Sequence, residues 1–102
     1  STASIADNYS HCGIFFVGDR QLSDNLTING DLKVQDTLNL NGKTLDVKGY
    51  TTIKSGNIRV AKGELICRKD LTCEYGYRIS SYLYMHDAED HVVVYGDFVY
   101  KN

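Results

Sequence analysis

A chain of 102 residues with 42% hydrophobic and 24% charged content has the size and composition of one soluble domain. Its net charge of −2, with basic residues scattered along the chain, removes the electrostatic case for nucleic acid or an anionic membrane. The longest apolar run, Ile14 to Val17, is far short of the about 20 residues that a helical membrane span needs.

Residues 1–24 carry no repeating pattern. The sequence opens on Ser1 with no signal peptide ahead of it, which reads as a processed or excised chain. Ile14, Phe15, Phe16 and Val17 form a consecutive apolar run with aromatics ahead of the repeats, so this segment is expected to be an irregular N-terminal cap over the first exposed layer of a patterned region that begins at residue 25.

From residue 25 to 102 one phrase recurs four times: two alternating apolar positions, a Gly-Asp corner, then two more. It first reads Leu26, Ile28, Gly30, Asp31, Leu32, Val34, and next Leu45, Val47, Gly49, Tyr50, Thr51, Ile53. The third copy is Leu65, Cys67, Lys69, Asp70, Leu71, Cys73, and the fourth Val92, Val94, Gly96, Asp97, Phe98, Tyr100. The copies begin at residues 26, 45, 65 and 92, so the period is roughly 20 residues with one longer interval. Each interval holds a second alternating pair: Leu38 and Leu40, Ile58 and Val60, Leu83 and Met85. Alternation means one face buried and one wet, and a fixed period near 20 means that strand-rich units stack. The pattern predicts an all-β parallel β-solenoid, or β-helix, of about four turns. Its side chains at 26, 28, 38, 40, 45, 47, 58, 60, 65, 67, 83, 85, 92 and 94 should form one continuous core.

The corners come from the same phrase. Gly30, Gly49 and Gly96 are expected to take positive φ at no steric cost, and Asp31, Asp70 and Asp97 to bond nearby amides in Asx-type turns. Lys69 stands at a glycine position, where the same conformation would strain it. Asn41-Gly42 and Ser55-Gly56 mark further corners. Asn-Gly is also a hairpin signal, but an antiparallel sandwich leaves the twenty-residue register unexplained. The fourth copy runs out at Tyr100-Lys101-Asn102 with no polar covering segment, which reads as a fragment of a longer protein or as a chain that stacks end on end.

The stretches NLTINGDLKV, TLNLNGKTLDVKGY, TTIKSGNIRV and YLYMHDAEDHVVVYGDFVY resemble the repeats of large secreted or cell-surface β-solenoid proteins of Gram-positive bacteria, adhesin-like in kind. The resemblance covers residues 25–100. It implies an extracellular or cell-surface setting, a stalk or display scaffold engaged in attachment or recognition, and no catalysis in the repeats. Cys67, Lys69 and the insertion before Val92 depart from that pattern.

Cys67 and Cys73 fall at inward positions and read as buried packing; a disulfide across the turn and a metal site are the alternatives, and Cx5C is no zinc signature. Cys12, beside His11, has no evident partner. His86, Asp87, Glu89, Asp90 and His91 crowd into the insertion. Oxygen and imidazole donors of this kind can hold a divalent cation, yet the spacing lacks a calcium loop's glycine and alternating acids, so a solvated loop is expected and no metal or cofactor. The outward columns Thr27, Asp46, Ile66, Val93 and Asn29, Lys48, Arg68, Tyr95 pair no acids, which argues against glycosidase-type acid/base chemistry. Asp70 and Asp97 stack at a corner, where backbone turning is their expected duty.

What remains is aromatic surface. Alternation turns Tyr82, Tyr84, Val93, Tyr95 and Val99 outward in the last copies, and tyrosine suits both protein interfaces and sugar stacking. The sequence therefore predicts a non-catalytic structural or adhesive module acting through its side and end surfaces, with a carbohydrate-binding module as the alternative. Expected partners are another protein, further repeats of the parent chain, a second copy meeting the C-terminal turn, or a glycan.

Overall fold

The computed structural model describes residues 3–5, 13–75 and 81–101, and within them the chain is all-β with no helix. Twelve strands form: β1 (Ala3–Ile5), β2 (Ile14–Phe16), β3 (Arg20–Leu22), β4 (Leu26–Ile28), β5 (Leu32–Asn39), β6 (Thr44–Val47), β7 (Thr51–Arg59), β8 (Glu64–Cys67), β9 (Leu71–Glu74), β10 (Tyr82–Tyr84), β11 (His91–Val94) and β12 (Phe98–Lys101). Every pairing among them is parallel, which excludes a hairpin at Asn41-Gly42.

One sheet has four strands in the order β4-β6-β8-β11. Its register aligns Leu26, Leu45, Leu65 and Val92, then Thr27, Asp46, Ile66 and Val93, then Ile28, Val47, Cys67 and Val94. That is the alignment the repeated phrase predicts. The physical cause is the period of two: a slip by one residue would put Thr27, Asp46 and Ile66 inside and four apolar side chains out.

The other sheet has eight strands and is carried by β5 and β7, each of which serves two ladders. Leu32, Thr51, Leu71 and Phe98 align along the first, with Ile14 on the far side of Leu32. Leu38, Ile58 and Leu83 align along the second, with Arg20 beyond Leu38. Between the two ladders β5 and β7 shift register, and there Asp36 and Ser55 take left-handed φ of 66° and 62°. A β-branched residue would be strained in that conformation; Asp and Ser tolerate it better. The Ser55-Gly56 corner is thus where the sequence placed one.

The core gathers Leu26, Ile28, Leu45, Val47, Leu65 and Cys67 from the four-stranded sheet, and Leu32, Val34, Leu38, Ile53, Ile58, Leu71 and Cys73 from the other. Leu40 and Val60, just past β5 and β7, join them as the alternation predicts. Each fully buried aliphatic side chain of this kind contributes about 1.5–3 kcal/mol relative to exposure. Phe16 and Leu22 complete the core from the N-terminal side. Residues 14–16 and 20–22 do so as strands hydrogen-bonded to β5, more regular than the cap expected there.

The expected continuous core stops at the last copy. Leu83, Val92 and Val94 are only partly buried, and Met85 is 48% exposed because no further strand lies over it among the described residues.

The corners also differ from expectation. Positive φ belongs to Asn41, Gly42, Ala61 and Lys62 at the turns before β6 and β8, and not to Gly30, Gly49, Gly96 or Lys69, so Lys69 carries no such strain. Glycine at 49 and 96 answers a different need, close approach. A Cβ on Gly49 would lie 2.6 Å from the Gly30 carbonyl oxygen and would overlap the Asp31 carboxylate; one on Gly96 would overlap the Asp70 carboxylate. Those carboxylates do not close local Asx turns. Asp31 Oδ1 accepts from the Tyr50 N–H 19 residues on, and Asp70 Oδ1 from the Asp97 N–H 27 residues on, both at 2.8 Å. Each corner is capped by the neighbouring copy, so the fold satisfies its turn amides through contacts between copies.

Candidate functional site

The five outward residues singled out in the sequence do not form one patch. Tyr82 and Tyr84 lie on β10 and Val99 on β12 of the eight-stranded sheet, whereas Val93 lies on β11 of the four-stranded sheet, with Tyr95 just after it. Tyr84, Val93 and Val99 are half-buried, whereas Tyr82, at 44%, and Tyr95, at 66%, are exposed. Alternation gives the side of a strand that a residue occupies; it does not give which sheet the strand joins.

Two separate features replace that patch. The first is apolar and lies at the end formed by β10, β11 and β12. Phe98 continues the buried column of Leu32, Thr51 and Leu71, and Tyr100 continues that of Val34, Ile53 and Cys73. Yet Phe98 is 58% and Tyr100 53% exposed. With Met85 and the partly buried Leu83, Val92 and Val94 they make an apolar face rimmed by strand edges. Phe98 and Tyr100 were legible in the sequence as positions of the fourth copy, but not as an exposed surface.

The second feature is a small cleft of about 90 Å³ lined by Arg59, Ala61, Tyr84, His86, Asp87 and Asp90. Parallel pairing of β10 on β7 sets Tyr84 directly against Arg59, with the guanidinium 4.6 Å from the ring centroid. His86 stacks on Tyr84 at 5.7 Å and an interplanar angle of 22°, and Tyr82 follows on the other side at 6.3 Å. Asp90 holds the loop in place. Its Oδ2 accepts from the His86 and Asp87 amides at 2.9 and 3.1 Å, and its Oδ1 accepts from the Lys62 amide at 2.6 Å. Burial raises the Asp90 pKa, but hydrogen bonds from those three amides outweigh it and the net shift is downward. Arg59 and Ala61 went unnoticed in the sequence as site residues, because the neighbour that makes them a site lies 25 residues away.

Among the weak metal candidates His86, Asp87, Asp90 and His91, two are engaged within the protein. Asp90 spends both oxygens on amides, and His91 Nδ1 is turned away onto Glu64 Oε2 at 2.7 Å. Among the described residues no group of three or more His, Cys, Asp or Glu is placed to hold an ion.

Asp46, Ile66 and Val93 share the expected outward column, and Arg68 crosses it to grip Asp46 through two nitrogens at 3.0 and 2.9 Å. The Arg68 hydrogen bond is the chief cause of a lowered Asp46 pKa. Arg68 also lies 5.3 Å from the Tyr95 ring, and Lys69 lies 5.2 Å from that of Tyr50. Cys67 and Cys73 are free, buried thiols, and burial pushes both pKa values up, so neither is a poised nucleophile. Cys12 lies outside the described residues. No helix among the described residues is long and apolar enough to cross a membrane. No protein-family model, curated protein or solved structure matches the chain.

Proposed function

We propose that the chain winds as a parallel β-solenoid of about four turns and serves as a non-catalytic structural or adhesive module, extracellular or on a cell surface, that makes contact through its C-terminal end. The observation that carries this reading is the apolar face of Met85, Phe98 and Tyr100 at core registers. The parallel offsets near 20 residues support the winding, since each strand meets its equivalent one copy later. Among the described residues β11 and β12 end their sheets, and β10 pairs only with β7. An unpaired strand edge offers amides and carbonyls to another strand, and apolar side chains beside it strengthen the contact by about 25 cal/mol for each Å² buried.

The occupant is a second copy of this chain, because a self-complementary contact about a two-fold axis closes with a single surface patch. Multi-angle light scattering across a concentration series tests it: the chain dimerises, and a Met85→Lys, Phe98→Lys variant of unchanged circular dichroism stays monomeric. A parent chain that remains monomeric throughout, or a variant that dimerises equally well, overturns the reading.

A further inference from the structure

We propose that the cleft between β7, β10 and the 85–90 loop is a binding subsite for a neutral saccharide unit. Asp90 is saturated by three amides, so it shapes the loop and has little left for a ligand. Among the described residues Arg59 forms no ion pair; its guanidinium lies against Tyr84 and keeps its five N–H donors free for a ligand. The Asp87 carboxylate, which also lines the cleft and is exposed, has no partner among the described residues either and supplies acceptors. Beside them runs an aromatic row, Tyr82, Tyr84 and His86, along one strand and its exit, of which Tyr84 and His86 line the cleft.

A free cation, a free carboxylate and aromatic rings select a particular ligand. A cation would meet Arg59, and an anion would meet Asp87 and Asp90. A neutral polyol is repelled by neither charge: its hydroxyls accept from Arg59 and donate to Asp87, while its C–H face lies on the exposed Tyr82 ring, since Arg59 and His86 already pack on Tyr84. The cleft has room for only a few water molecules, so it takes the edge of one sugar ring, with the rest of the oligosaccharide running past Tyr82. Displacing those waters gains affinity only where the sugar's hydroxyls reproduce their hydrogen bonds. The loop is already held by Asp90, which lowers the ordering cost of binding. The cleft borders the end contact proposed above along β10, but its lining side chains are not those of the apolar face, so either can fail alone.

The test is a heteronuclear NMR titration of the full chain with cellotriose, mannotriose and chitotriose, and with trigalacturonate as the charged comparison. At least one neutral trisaccharide should shift the Arg59 Nε–H signal and the amides of Tyr84, His86 and Asp87 saturably. Arg59→Gln and Tyr84→Ser should each weaken that binding by about tenfold or more, whereas Tyr95→Ser, on the other sheet's side, should leave it unchanged. Arg59 and Tyr84 face outward, so amide spectra of the variants report whether the fold is kept. The proposal is overturned by no saturable shift with any neutral trisaccharide, by preference for trigalacturonate, or by loss of binding in Tyr95→Ser.

Discussion

The middle copies and the last copy share a sequence pattern and a register, yet they end in opposite environments. Leu45, Val47, Ile58, Val60, Leu65 and Cys67 are fully buried. One copy further along the same ladders, Val92, Val94 and Leu83 are half-covered, and Met85 is open. Pairing is equally good in both places. What differs is whether side chains have a neighbour on both sides of the ladder, so burial here is a property of position in the stack rather than of the residue.

The sharpest way to break that comparison is to place a charge in each region. Leu45→Asp sets a carboxylate between Leu26 and Leu65, with no donor nearby, and an unpaired buried charge is among the few changes that cost more than about 4 kcal/mol. The domain should lose its cooperative thermal transition. Met85→Asp should melt close to the parent, as should Thr27→Asp, whose side chain faces water. Equal melting temperatures for Leu45→Asp and Met85→Asp would show that the two regions are not different in kind.

The same comparison explains what the sequence could and could not show. Registers were legible because Leu26, Leu45, Leu65 and Val92 obey both the period of two and the period near 20, and no other alignment satisfies both. The corners were legible as positions but not as mechanism. Gly49 and Gly96 stand out in the sequence, yet the reason for them is a carboxylate from the preceding copy, a long-range contact that no local rule encodes. Ala61 and Lys62 adopt left-handed φ at the position where the copy before uses Asn41-Gly42, so identical geometry is reached by residues that carry no turn signal. The cleft was half legible: Tyr84 was visible as an outward aromatic and His86, Asp87 and Asp90 as one polar loop, whereas Arg59 required knowing that β10 pairs with β7.

A smaller effect is expected at Cys67, which sits between Val47 and Val94 where the covered and open regions meet. The thiol is buried and free, so it works as a small apolar group. Cys67→Val conserves volume and should change stability by less than about 1.5 kcal/mol in denaturant melts. The neighbouring Thr51 hydroxyl, buried without a hydrogen-bond partner of normal geometry, has at most the Cys67 sulfur to donate to, and sulfur is a weak acceptor, so little is lost by the exchange. A larger loss, or one reproduced by adding reductant to the parent, would mean that the sulfur is doing more than packing.

The smallest effect belongs to the outer surface, where Arg68 bridges Asp46 across two neighbouring strands. The hydrogen bond from Arg68 leads the causes that hold the Asp46 carboxyl below its ordinary value. A carboxyl whose pKa is lower in the folded state stabilises the fold at pH values above its unfolded pKa, near 3.9. That contribution fades as the pH falls from there through the folded value, because protonation then costs the folded state more than the unfolded one. The pair lies at the surface and is screened by salt, so its effect is slight. Asp46→Asn should therefore lower the melting temperature by no more than a few degrees at neutral pH and low salt, and the gap to the parent should shrink in high salt and close as the pH drops below about 3.9. The mutation leaves both regions of the core untouched, so a loss as large as that of Leu45→Asp would mean that the strands are held together chiefly by their outer charges and that the buried columns are not what distinguishes the middle of the molecule from its end.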